Sequence, residues 1–170
     1  MDNSLFCKNL ISEMNQYPKY EVSFNDKLDV IEFVSSGRKG NIDKIIMIEP
    51  TYNPLIYNLG FGDKITKIKD NKIFYEFDDK VNSENGDRDI VLATVAASAY
   101  EYTSKYPERW LIFAGSDEVR TRLYRMAITK NYAELSQDFA IFGTVIVDYV
   151  PVPVPFDSNT RFDGFIVKRK

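Results

Sequence analysis

Apolar and polar residues change period along this chain, and each change predicts a different kind of element. Over the first 18 residues Leu5, Phe6, Leu10, Ile11 and Met14 fall near helical spacing, which predicts a short amphipathic helix ended by Pro18. From Tyr20 to Phe77 the period is that of strands. Residues 20–24 alternate, residues 28–34 and 44–49 are short apolar runs, and Ser35 to Gly40 offers two glycines for a turn. Residues 55–59 predict a further strand, stopped by Gly60-Phe61-Gly62-Asp63. Ile65–Ile68 and Ile73–Phe77 flank Lys69-Asp70-Asn71-Lys72 as a hairpin. Strands joined this tightly pair antiparallel.

Beyond the polar stretch 78–86 the pattern turns helical. Residues 90–106 have no clean polar face until their last turns, and Ala93, Ala96, Ala97, Ser98 and Ala99 keep the segment slim. A helix apolar nearly all round is a buried one. Asp87 is placed to cap it, and Pro107 stops it. Residues 110–114 read as a buried strand, 117–129 as a second helix, 132–136 as a short third one and 140–147 as a strong strand, with Gly143 at a bulge. Pro151, Pro153 and Pro155 cannot donate, so 151–155 is an extended arm or edge segment, and 162–168 a final edge strand. The expected fold is α+β, a curved, mostly antiparallel sheet of five to seven strands wrapped on the central helix, in one domain spanning residues 1–170.

Composition narrows the chemistry. The 170 residues include one cysteine, Cys7, and no histidine. Ser-His and Cys-His nucleophile pairs are therefore excluded, and a thiolate zinc site cannot be built. One cysteine makes no internal disulfide, which suits a reducing, cytoplasmic home. No cationic start followed by an apolar run marks a secretory signal, and no run of about 18 apolar residues suggests a membrane span. A net charge of −3 argues against duplex nucleic acid as the default partner.

Three groups of residues merit weighing as sites. The stretch from Phe113 to Ile128 reads strand, glycine turn, helix. At about 100° per residue Val119, Leu123, Met126 and Ala127 share one arc, expected to face the core. Arg120 and Arg122 then lie on its opposite borders and Arg125 points to solvent. Border arginines bury their stems and can fork onto a carboxylate or phosphate. Ser116, Arg120 and Arg122 are thus the anion-binding candidates, at a helix start that favours negative charge. Asp117 and Glu118 already bring negative charge there; on the structural alternative Ser116 merely caps the helix and the arginines bond to carboxylates or carbonyls. In the second group Asp63, Asp87 and Asp89 hold a hard cation if their loops meet; the alternative is two turns and an N-cap. In the third, Arg38 and Lys39 form a basic hairpin tip facing a phosphate backbone or an acidic partner, or simply a solvated turn.

Several stretches, Phe33 to Lys44, Tyr57 to Asp63, Asn85-Gly86-Asp87, Val91 to Ala96, Gly115-Ser116 and Arg120 to Tyr124, together resemble a family of small uncharacterised proteins of Bacteroidetes-type bacteria, over about residues 20–145 in the same order. The resemblance implies a bacterial, cytoplasmic protein and brings no activity with it. It leaves the first 18 residues and the proline arm outside.

The leading expectation is a non-enzymatic binding or regulatory protein that works through a protein partner, with toxin neutralisation or defence among the roles that suit a small acidic chain. The alternative is a small-anion or nucleotide-binding protein using Ser116, Arg120 and Arg122, with Asp63 or Asp87 as base or metal ligand. RNA stacking on the 11 tyrosines is a third reading, opposed by the net negative charge. No cofactor and no metal are expected, and a homo-oligomer built through the proline arm stays open.

Overall fold

The structure, a computed structural model, describes residues 17–80 and 83–170; the expected N-terminal helix lies mostly outside them. Hairpins lead the chain. β1 (Ser23–Phe24), β2 (Val30–Gly37), β3 (Gly40–Pro50), β4 (Ile56–Lys69) and β5 (Lys72–Asp78) follow one another in antiparallel pairs. The β4–β5 turn places Asp70 and Asn71 at φ of 51° and 59°, the left-handed conformations that a two-residue hairpin demands. Next come α1 (Arg88–Lys105), β6 (Trp110–Phe113), α2 (Glu118–Lys130), α3 (Tyr132–Asp138), β7 (Phe139–Val147), β8 (Val150–Pro155) and β9 (Gly164–Arg169).

All nine described strands join one open sheet in the order β1-β2-β3-β4-β6-β9-β7-β8, with β5 also paired to β4. Only β4 and β6 run parallel. The class is α+β, as expected, but the sheet is larger than five to seven strands. The proline arm is an edge strand, β8, whose three prolines sit at the rim without breaking an inner ladder. The last strand is not an edge: β9 is inserted between β6 and β7, and its Phe165 is fully buried. Gly143 makes no bulge either, since its pairs with Val154 and Phe165 are in register; the Phe162 ring occupies the space a Cβ would need there.

Cross-strand register builds the core. Ile31 faces Ile46, Ile46 faces Phe61, and Ile48 faces Leu59, so one row of side chains points to one face. α1 lies on that face and adds Val91, Val95 and Tyr102. Each such side chain contributes about 1.5–3 kcal/mol by leaving water. The hydroxyls buried with them, on Thr94, Ser98 and Thr103, bond back to the carbonyls of Ile90, Thr94 and Ala99 at 2.8–2.9 Å, so they cost little. No residue from 90 to 103 is exposed, which agrees with the absence of a polar face. A second cluster under α2 and α3 gathers Ile128, Phe139, Ile141, Phe162 and Phe165.

Candidate functional site

β4 is the longest strand, and one of its edges changes partner part-way. Its other edge stays with β3 from Tyr57 to Asp63. On the changing edge Ile56–Asn58 pairs with β6 and Asp63–Lys69 pairs with β5. Between them residues 59–62 have no described strand partner on this edge, so the sheet forks. The expectation that Gly60 and Gly62 end a strand fails here: β4 runs straight through them. The Phe77 ring lies over Gly60 and the backbone of Asp78 lies over Gly62, so a Cβ at either position would overlap them. These glycines mark close approach, not a turn.

The fork opens a cleft of about 310 Å³. Its floor carries an ion pair. Lys44 and Asp63 stand directly opposite each other on β3 and β4 and bond side chain to side chain, and Lys44 also donates to Ser83 Oγ at 2.8 Å. Lys44 is only 8% exposed, so its charge depends on these partners. Asp63 is thereby engaged by a cation, and does not stand as an open base or metal ligand.

The start of α2 forms the opposite wall. Asp117, not Ser116, is the cap: its carboxylate accepts from the Arg120 backbone N–H at 2.8 Å. Thr121 Oγ1 donates to the Asp117 carbonyl at 3.0 Å and accepts from Gly115 N–H at 3.1 Å, and no Cβ fits at Gly115 against Arg120 and Thr121. This locks the strand-to-helix turn. Ser116 instead bridges. Its hydroxyl donates to the Asp79 carbonyl at 2.9 Å and accepts from the Arg120 guanidinium. Arg120 makes no ion pair among the described residues. One turn on, Tyr124 lines the same cleft, and its hydroxyl makes no hydrogen bond to a described residue. Burial pushes its pKa up to about 12, with Arg120 opposing the shift and Asp79 and Asp117 adding to it.

A second polar cluster lies where the β2–β3 hairpin meets the entry to α1. Asn85 is 4% exposed and donates to Ser35 Oγ at 2.9 Å and the Gly40 carbonyl at 3.0 Å. It accepts from Lys39 N–H at 2.7 Å through its side chain and from Arg38 N–H at 2.9 Å through its carbonyl. Asp87 stands at the N-cap position of α1 but makes no cap bond; its carboxylate accepts from Ser35 Oγ at 2.5 Å and Tyr20 Oη at 2.6 Å.

The stretches of sequence singled out around Gly37, Gly60, Asn85 and Gly115 thus build two clusters, and they fall within a longer match: residues 16–170 match a family of unknown function, DUF6934. The chain belongs to that family. The match takes in the proline arm, which the earlier likeness over residues 20–145 left out. No curated protein and no solved structure matches the chain.

Of the candidate residues, the fold brings Asp63, Ser116 and Arg120 into one cleft. Asp87 falls in the Asn85 cluster, and the backbone of Arg38 and Lys39 is clamped there with the side chains exposed. Arg122 joins neither cluster and is exposed. The expected core arc of α2 was centred on the wrong residues: Val119 is 68% and Met126 53% exposed, while Thr121 and Ile128 are buried. Centred on Tyr124 the wheel puts Arg120 about 40° from the inward direction and Arg122 about 160° away. Arg125, expected in solvent, donates to the Thr160 carbonyl at 2.7 Å. No group of three or more carboxylates or other metal-ligating side chains comes together among the described residues, so the loops of Asp63, Asp87 and Asp89 do not meet as a cation site. Lys44, Asp79 and Tyr124 were not foreseen. Tyr124 had a signal, since it stands four residues after Arg120 and so on the same side of the helix.

Proposed function

We propose that this protein binds a small acceptor-bearing ligand, carrying a carboxylate or phosphate, in the cleft at the fork of the sheet. The observation that carries the reading is Arg120. The residue is half-buried, its guanidinium bonds to Ser116 in the cleft, and it makes no ion pair among the described residues. An unpaired guanidinium on the wall of a cleft is well suited to a carboxylate or phosphate. Tyr124, one turn beyond Arg120 on α2, and Ser116, just before the helix, line the same cleft. A volume of about 310 Å³ lies at the low end of small-molecule sites. The setting is a bacterial cytoplasm, carried from the resemblance and from the single cysteine.

Thermal unfolding with a panel of phosphates, sugar phosphates, nucleotides and small carboxylates tests it. A ligand of this set raises the melting temperature, Arg120→Gln removes the rise, and Arg122→Gln keeps it. A flat response across the panel in the parent protein sinks the reading.

A protein partner is the second reading, favoured by the β4–β5 hairpin. Past Asp63 it has no β3 beside it, and at its tip Ile68 and Ile73 face each other across the strands, 75% and 60% exposed. A two-stranded ribbon is marginal on its own, and an apolar tip suits a contact surface. Native mass spectrometry of protein purified from cells distinguishes the two: a stoichiometric protein partner lost on Ile68→Lys supports this second reading. RNA stacking has least support, because Tyr57, Tyr100, Tyr102 and Tyr106 are engaged by neighbouring rings or by Arg109 and Arg169.

A further inference from the structure

The charges around the cleft are not those of a simple anion site. Arg120 and Lys44 face Asp63, Asp78 and Asp79, so carboxylates outnumber cations. Lys44 and Asp63 neutralise each other. Asp79 differs from both: its carboxylate takes no hydrogen bond and no ion pair among the described residues, and its backbone carbonyl is the group that Ser116 holds. Arg120 and Asp79 therefore share one cleft, carry opposite charges and do not pair with each other. Both line the cleft together with Tyr124. Ser116 keeps them in place, bonded to the Arg120 guanidinium on one side and to the Asp79 backbone on the other.

Two opposite charges that line one cleft without pairing are complementary to a ligand that carries both. A dianionic phosphate would meet Asp79 with like charge, and a lone cation would meet Arg120. Phe61, Phe77 and Phe113 line the remaining wall. We infer that the ligand of the fork cleft is a zwitterionic α-amino acid with an apolar side chain, its carboxylate on Arg120 and the Tyr124 hydroxyl, its ammonium on Asp79, and its side chain against the phenylalanine rings. The inference rests on the proposed ligand cleft and narrows what fills it.

Isothermal titration of the full chain with L-leucine, L-phenylalanine, N-acetyl-L-phenylalanine, L-phenylalaninamide and inorganic phosphate tests it. Binding is expected for the free amino acids, with a loss of about 10-fold or more when either charge is removed from the ligand. Asp79→Asn should weaken the free amino acid about 10-fold and leave N-acetyl-L-phenylalanine unchanged; Arg120→Lys, which keeps a charge, should lose less than Arg120→Gln. N-acetyl-L-phenylalanine or phosphate binding as tightly as the free amino acids, in an Arg120-dependent way, would overturn the zwitterion while leaving the anion cleft standing. Heat from none of the five probes overturns the zwitterion, and the wider phosphate and carboxylate panel then decides the cleft.

Discussion

The Asn85 cluster and the fork cleft are built from similar parts, a polar side chain, a carboxylate, a tyrosine and tight glycines, yet they end in opposite states. Around Asn85 each side chain that is withdrawn from water has a partner within the chain: Ser35, Asp87 and Tyr20 bond in series, and Asn85 bonds on both sides of the β2–β3 turn. In the cleft only the floor is closed in this way, by Lys44 with Asp63 and Ser83. Among the described residues Arg120, Asp79 and the Tyr124 hydroxyl have no carboxylate, cation or acceptor, respectively, to pair with. Polar groups that satisfy one another hold a fold together, while polar groups held in place but unsatisfied are available to something else. That difference separates candidate residues that looked alike in sequence: Asp87 is bonded to Ser35 and Tyr20, and Arg120 has no ion pair among the described residues.

Four substitutions test the contrast. Asp63→Asn leaves Lys44 buried without its counter-charge and should cost about 3 kcal/mol, read as a lower denaturant midpoint; replacing the pair together by Leu and Met should recover most of it. Asn85→Ala strands the Lys39 N–H and the Gly40 carbonyl, and should cost about 2–3 kcal/mol with no dependence on ligand. If its loss were under about 0.5 kcal/mol, the cluster would not be the structural member of the comparison. In the absence of ligand, Tyr124→Phe changes stability at alkaline pH. Burial raises the phenol from 10.0 to about 12, so the folded state favours the neutral form. That contribution is complete below pH 10 and is lost as pH rises through about 12. The parent protein should lose up to about 2 kcal/mol more than the Tyr124→Phe variant between pH 9 and 12 by urea titration. Arg120→Gln should change stability by under about 0.5 kcal/mol while abolishing ligand-induced stabilisation. A large loss of stability without ligand would move Arg120 into the structural class.

Local signals in the sequence carried most of the elements. Hairpin turns at Arg38-Lys39 and Asp70-Asn71, the helix from Arg88 and the proline edge strand each follow from residues within a few positions of one another, and all are present. The site was legible only in part. Arg120 and Ser116 drew attention through their setting at a glycine turn before a helix, and Asp63 through its loop-like glycines. Asp79 passed as one of several acidic loop residues, because nothing local distinguishes it from Asp78.

What the sequence alone determined, then, is the set of elements and the absence of histidine chemistry, since propensity, period and composition are local or additive properties. Tertiary structure decided three further things. It threaded β4 through Gly60 and Gly62, because Phe77 and Asp78 return over them. It placed β9 between β6 and β7 rather than at the rim, where the buried Phe165 completes the second core. And it rotated α2 so that Thr121, Tyr124 and Ile128 face inward, which turns Arg120 into the cleft and Arg122 out to solvent. Each of these depends on contacts between segments far apart in the chain, and a helix wheel or a strand pattern contains no information about which distant surface a face will meet.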